Sequence, residues 1–218
     1  PPYPPHEGGA GPPPRVPLHD REVSIAPRAR PVHPPASSGC LRPRLLYLCS
    51  VLPLEPKDRF ALEAAGGWLM LNNPAEALRE IDHLSPAGRE HPESLLMLWD
   101  IQAKQRDWEG AIATADPLIA RTPDEAEGYI KRAYSLHELK RTQAAWDTLQ
   151  PASERFTGNW LVPYNLACYA AQLGKPAEAF DWFRRALRLG DKRELRTMAL
   201  NDPDLEPIRA KIEKLSPG

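Results

Sequence analysis

Between Lys57 and Leu189 the chain runs in apolar, alanine-rich stretches of helical spacing, separated by short polar breaks. The clearest is Asn165–Leu187, NLACYAAQLGKPAEAFDWFRRAL, where two such stretches flank Gly174-Lys175-Pro176. One small side chain sets the period. Ala77, Ala111, Ala145 and Ala179 recur every 34 residues, each near the start of a helical pattern. A fixed interval of this size is the mark of a repeat array, in which a short structural unit stacks on copies of itself. Counting each alanine as position 20 puts position 1 at Asp58, Pro92, Ala126 and Trp160.

Each unit reads as a helix A, a turn and a helix B. Turn signals fall between the two helices at Asn72-Asn73-Pro74, Arg106-Asp107, Lys140-Arg141 and Gly174-Lys175-Pro176. Pro74 and Pro176 suit the first turn of a helix, where a missing N–H costs nothing. Breakers also mark the unit ends: Ser85-Pro86, His91-Pro92, Thr122-Pro123 and Thr157-Gly158. Beyond the last unit, Glu194–Leu200 predicts a short helix. Asp202-Pro203 starts another, whose Leu205, Ile208 and Ile212 form one apolar stripe. Lys192, Arg193, Arg209, Lys211 and Lys214 give these terminal helices a polar outer face, as a lid on a stack requires.

Position by position, the units resemble tetratricopeptide repeats of a small bacterial type. Position 20 is alanine throughout. Position 8 is small in Ala65, Ala133 and Ala167, position 7 is leucine in Leu98 and Leu166, and position 24 is large in Ile81, Leu149 and Phe183. Position 27 is alanine in Ala152 and Ala186, and the position-32 proline appears once, as Pro123. The tryptophan expected at position 4 is replaced by Ala61, Leu95, Tyr129 and Pro163. The run MALNDPDLEPI is similar to the ending of small bacterial members. The resemblance implies an all-α, right-handed α-solenoid of about four helical hairpins with C-terminal capping helices. Its parts are repeats at 58–91, 92–125, 126–159 and 160–191 and a cap at 192–218. Positions 8 and 20 are small because helices A and B approach most closely there. Trp99 breaks that rule in a unit that has Ala115 where bulk is expected at position 24, which predicts a large-for-small exchange of volume.

Composition changes the picture mainly at the N-terminus. Fifteen of the 26 prolines precede Lys57, so residues 1–56 read as a Pro-rich disordered tail of polyproline II character. Arg28, Pro31 and Pro34 match an RxxPxxP spacing that SH3-type grooves read, as a Pro/Arg-rich tract also does by chance. The first methionine is Met70, inside a predicted helix, and composition shifts near Val51, where native coding is expected to begin. A net charge of −1 gives no general attraction to nucleic acid or anionic membranes. No apolar run is long enough to span a bilayer; Leu45–Leu54 has only the length of a signal-peptide core and lacks its cleavage pattern. Cys40, Cys49 and Cys168 cannot all pair and show no CxxC spacing, which favours a reducing, cytoplasmic setting.

Candidate chemistry is sparse. None of the six histidines sits in HExxH or at ligand spacing from a cysteine, so no metal is expected. Gly66-Gly67 is followed by neither GK[ST] nor GxGxxG, so no phosphate cradle and no cofactor are expected. Cys168 has no histidine near it in sequence, and the carboxylates pair with Arg and Lys at helical spacing. The expectation is a chain that is not an enzyme.

What the resemblance does imply is a concave groove lined by the A helices. The residues placed there are Met97, Asp100, Lys104, Glu127, Lys131, Tyr134, His137, Tyr164, Asn165 and Cys168, with Tyr134 and Tyr164 equally readable as packing between units. Aromatic surface with both charge signs suits an extended peptide or a partner helix held by a few anchors. The carboxylate clamp of chaperone-binding members is missing. Its positions carry Leu62, Gly66, Met97, Glu127 and Lys131, or one unit later Leu96, Asp100, Lys131, Leu161 and Asn165. The expected function is a protein-interaction scaffold for an unidentified protein or peptide partner. The alternatives are single-stranded RNA binding by a helical-repeat code and a regulatory subunit of an enzyme complex.

Overall fold

The computed structural model describes residues 53–215, and among these there is no strand. Residues 1–52 of the expected Pro-rich tail, its RxxPxxP spacing and the start expected near Val51 lie outside the described residues; of the rest of that tail, Leu54 is buried in the core of the first hairpin and Pro56 opens a helix. The helices are α1 (Pro56–Met70), α2 (Pro74–Asp82), α3 (Pro86–Arg89), α4 (Pro92–Gln105), α5 (Trp108–Arg121), α6 (Ala126–Glu138), α7 (Thr142–Leu149), α8 (Leu161–Gln172), α9 (Pro176–Leu189), α10 (Lys192–Leu200) and α11 (Arg209–Glu213). Prolines open five of the first nine, where fixed φ favours the first turn.

Helices α1/α2, α4/α5, α6/α7 and α8/α9 pack as hairpins, and each hairpin leans on the next through α2·α4, α5·α6 and α7·α8. The result is an all-α solenoid. All four position-20 alanines are fully buried, as are Ala65, Ala133 and Ala167 at position 8. Trp99 is buried too, in one cluster with Ala111 and Ala115, so its ring does fill the space left beside Ala115. Its Nε1–H donates to Ser135 Oγ at 3.1 Å, which satisfies the indole inside the stack.

The turn between helices A and B is the same device four times. Position 15 takes a left-handed backbone in every unit: Asn72 (φ 56), Arg106 (φ 60), Lys140 (φ 64) and Gly174 (φ 75). The following residue then donates back across the helix end: Asn73 to Trp68 O, Asp107 to Gln102 O, Arg141 to Leu136 O and Lys175 to Ala170 O, each at 2.9 Å. This is the Schellman closure of a helix C-terminus. Ion pairs repeat as well. Glu90–Arg121 (2.5 Å), Asp100–Lys131 (2.8 Å), Glu109–Arg141 (2.5 Å) and Asp124–Arg155 (3.2 Å) each join one unit to the next.

The first hairpin carries an extra turn, α3, held by a buried carboxylate. Asp58 Oδ1 accepts from Ser85 N at 2.8 Å and Oδ2 from Ser85 Oγ at 2.6 Å. These two bonds favour the charged form and hold the Asp58 carboxyl below its ordinary range. Gly88 must stay small here: a Cβ would stand 2.3 Å from Asp58 Oδ2.

At the other end the stripe Leu205, Ile208 and Ile212 is fully buried in the main core. The element that carries it differs from the α-helix expected after Asp202-Pro203. Pro203–Ile208 is a 3-10 helix, with α11 beginning only at Arg209. Pro207 lies inside it and has no N–H to give to an α-helical ladder.

Candidate binding groove

The A helices α1, α4, α6 and α8 line one side of the solenoid, and the ten residues expected there fall into two groups. Met97, Asp100, Lys104, Lys131 and Tyr134 are half-buried, and Glu127 is exposed. His137, Tyr164, Asn165 and Cys168 are buried, none more than 5% exposed.

The first group centres on α4 and α6. Lys131 Nζ lies 2.8 Å from Asp100 Oδ1 and 3.9 Å from the centre of the Trp99 ring. An ammonium between a carboxylate and an indole face is held by charge and by the ring quadrupole together. Tyr134 stands edge-on to Trp99 (6.1 Å between centroids) and to Trp108 (5.7 Å). Trp108 is not among the residues the repeat positions place in the groove. The signal for it is an indole at the first position of a B helix, beside the turn that faces Tyr134. Met97 reaches toward α1, its Cε 3.5 Å from where a Gly66 Cβ would be, so the small residue gives the thioether its place.

The structure places the second group beneath the C-terminal turn. These four side chains do not line an open trough, because the C-terminal turn Asp202–Leu205 lies across them. Asp202, itself buried, accepts from Tyr164 Oη at 3.0 Å and faces Cys168 Sγ at 3.7 Å. Asp204 Oδ2 is 3.0 Å from His137 Nε2, while His137 Nδ1 is 3.0 Å from Thr142 Oγ1. Gln172 Nε2 donates to Asp204 O at 2.9 Å. The turn holds its own shape through Asp202 Oδ1, which accepts from Asp204 N at 3.1 Å. Asn165 is buried beside this closure, and its Nδ2 has no hydrogen-bond partner among the described residues. Tyr164 thus packs between units, the other reading of its position.

The closure explains why α8 is buried all round from Val162 to Ala171, as only a helix covered on every side is. Burial also pushes the Tyr169 phenol well above its ordinary range, with Cys168 and Tyr134 nearby as smaller causes. In the sequence Asp202-Pro203 reads only as a helix start. Which side of the stack that turn takes is not written locally.

Among the described residues no group of three His, Cys, Asp or Glu side chains could hold a metal ion. No described helix is long and apolar enough to cross a membrane.

No protein-family model matches the chain, and no curated protein matches it. Solved structures do share its fold. MamA residues 41-end from Desulfovibrio magneticus RS-1 aligns with a TM-score of 0.57 at 16% identity, over 74% of this chain and 93% of that one. TTC0263, a thermophilic tetratricopeptide protein of Thermus thermophilus, gives 0.55 at 22% identity, over 73% and 92%. PilF of Pseudomonas aeruginosa gives 0.59 at 21% identity, over 72% and 70%. At these identities the likeness is one of fold, and the fold is that of tetratricopeptide solenoids.

Proposed function

We propose that this tetratricopeptide-type solenoid is a non-catalytic protein-interaction scaffold. An extended peptide or a partner helix lies along the concave face of the first three hairpins. The observation that carries the reading is the patch around Lys131. Asp100, Lys131, Tyr134, Met97 and Lys104 bring both charges, a phenol and a thioether to one half-buried surface on consecutive A helices. Rigid aromatic anchors ringed by charge are the usual hot spots of protein recognition. The fourth hairpin contributes little open surface to the site, because its Tyr164 and Cys168 are buried against Asp202. The ligand is therefore read by about three units, and its chain leaves the groove near His137.

Lys131 and Asp100 are bonded to one another, which permits a clean test. The double exchange Lys131→Glu with Asp100→Lys preserves an internal ion pair while inverting the charge presented to a partner. Partners captured by the full chain and identified by mass spectrometry should be lost or weakened at least tenfold in this variant and in Tyr134→Ala, compared at a temperature where circular dichroism shows each variant folded, because both exchanges also remove contacts to Trp99. An unaltered partner set in both variants contradicts the groove assignment.

A further inference from the structure

A cationic corner stands where α9, a B helix, turns into α10, and it is independent of the groove on the A helices. Arg184, Arg185 and Arg188 are exposed on the last turns of α9, and Lys192 and Arg193 are exposed in the first turn of α10. Gly190 lets the two helices join tightly. A Cβ there would stand 2.9 Å from Leu195 Cδ1 and 3.2 Å from Trp160 Cγ, so the corner is seated on packed side chains. The repeat does not ask for these charges. The three arginines occupy positions 25, 26 and 29. Those positions hold Asp82, His83 and Pro86 in the first unit, Asp116, Pro117 and Ala120 in the second, and Gln150, Pro151 and Glu154 in the third. The start of α10 does not ask for them either, because the helix dipole disfavours cations in a first turn, where Lys192 and Arg193 stand. A lid on the stack needs polar side chains at these two places, and glutamate would serve.

The charges are also left over. In the earlier hairpins Arg121, Lys131, Arg132, Arg141 and Arg155 each hold a carboxylate within 3.2 Å. At the corner Arg184 comes only within 3.9 Å of Asp181, and Arg185, Arg188, Lys192 and Arg193 have no ion pair among the described residues. Asp191, the carboxylate between them, is committed to the N-cap of α10, where its Oδ1 accepts from Glu194 N at 2.8 Å. Arg185 is held in place without a carboxylate. Its guanidinium lies 4.2 Å from the centre of the Trp182 ring, and Trp182 stands edge-on to Trp146 at 6.1 Å. A guanidinium backed by an indole loses little freedom on binding and keeps its N–H fork for a planar acceptor.

We propose that this corner is a docking site for an acidic, carboxylate-rich segment of a partner protein. Carboxylates meet guanidinium forks through two parallel hydrogen bonds, and a run of them offers the charge that the corner lacks. A nucleic acid fits less well. The net charge of −1 gives no long-range pull on a polyanion, and Trp182, 8% exposed beneath Arg185, offers no face for a base. A bilayer also fits less well, because among the described residues Leu189, 42% exposed, is the one large apolar side chain exposed at this corner.

The test is the fluorescence anisotropy of a labelled peptide of alternating glutamate and glycine, titrated with the full chain to about 500 μM. The peptide should bind, and binding should weaken at least fivefold between about 50 and 300 mM salt, as screened surface charges do. The same peptide with glutamine in place of glutamate should not bind. Arg184→Gln, Arg188→Gln and Arg193→Gln combined should weaken binding at least tenfold; all three side chains are exposed, so thermal melting should not change. Lys192→Glu alone suits the first turn of α10 better than the lysine, yet should weaken binding at least threefold. Lys131→Glu with Asp100→Lys should leave binding within twofold, which separates the corner from the groove. Unlabelled oligothymidylate should compete at least tenfold less well than the unlabelled acidic peptide at equal charge, and phosphatidylserine vesicles should not carry the chain down. No binding in this range, equal binding of the glutamine peptide, unchanged affinity in the corner variants, loss of binding in the groove variant, or better capture by oligothymidylate or vesicles overturns the proposal.

Discussion

Trp99 stands where the other three units carry alanine, and its neighbours explain how the stack accepts it. The ring occupies the space beside Ala111 and Ala115, donates to Ser135 and lies under the Lys131 ammonium. Trp99→Ala should therefore open a cavity, leave Ser135 without its donor and lower stability by about 3 to 5 kcal/mol in chemical denaturation. A loss below about 1 kcal/mol contradicts the exchange of volume. The exchange is legible in the sequence, because both halves of it sit at defined repeat positions. The fates of Tyr164 and Cys168 are not. Their burial depends on Asp202, 38 and 34 residues further on, and nothing in the local pattern says that a terminal turn folds back over them. Residues whose neighbours come from their own or the adjacent unit are readable from a period. Those covered by a non-repeating segment are not.

At the scale of the element, the turn between helices A and B carries a cost that three units accept and one avoids. Gly174 takes the left-handed conformation freely, while Arg106 and Lys140 take it against steric resistance from their Cβ atoms. The Schellman bonds hold them there. Arg106→Gly should stabilise the fold by about 0.5 to 1 kcal/mol, seen as a higher denaturation midpoint with an unchanged slope. Arg106 is exposed, so no other contact offsets the gain. A lower midpoint would mean that the turn owes its shape to something other than this closure. Helix positions are legible from the breakers, since proline and the turn residues act within a few bonds. The apolar stripe of Pro203–Ile208 fits α-helical spacing equally well, so periodicity alone does not reveal the 3-10 helix. Pro207 is the local reason the segment is not α-helical.

For the whole molecule, the period prescribes how hairpins stack, and the two ends decide what the stack can do. One end is sealed: Leu205, Ile208 and Ile212 fill the core while Asp202 and Asp204 bind the inward positions of the last two units. The other end leaves Phe60 and Leu71 in the open. Between them the A-helix positions are half-buried around Asp100 and Lys131 and covered around Tyr164 and Cys168, and the proposed function rests on that division. Position 9 samples both parts, as Asp100 in the second unit and Cys168 in the fourth. The direct measurement compares thiol reactivity at these equivalent places, with serine at Cys40 and Cys49 throughout. One chain retains Cys168, and the other carries Asp100→Cys with Cys168→Ser. Under native conditions the half-buried thiol at 100 should react readily with an aromatic disulfide reagent. Cys168 should react at least a hundredfold more slowly until the protein is denatured. Equal rates at the two positions would contradict a groove that is open in one part and closed in the other.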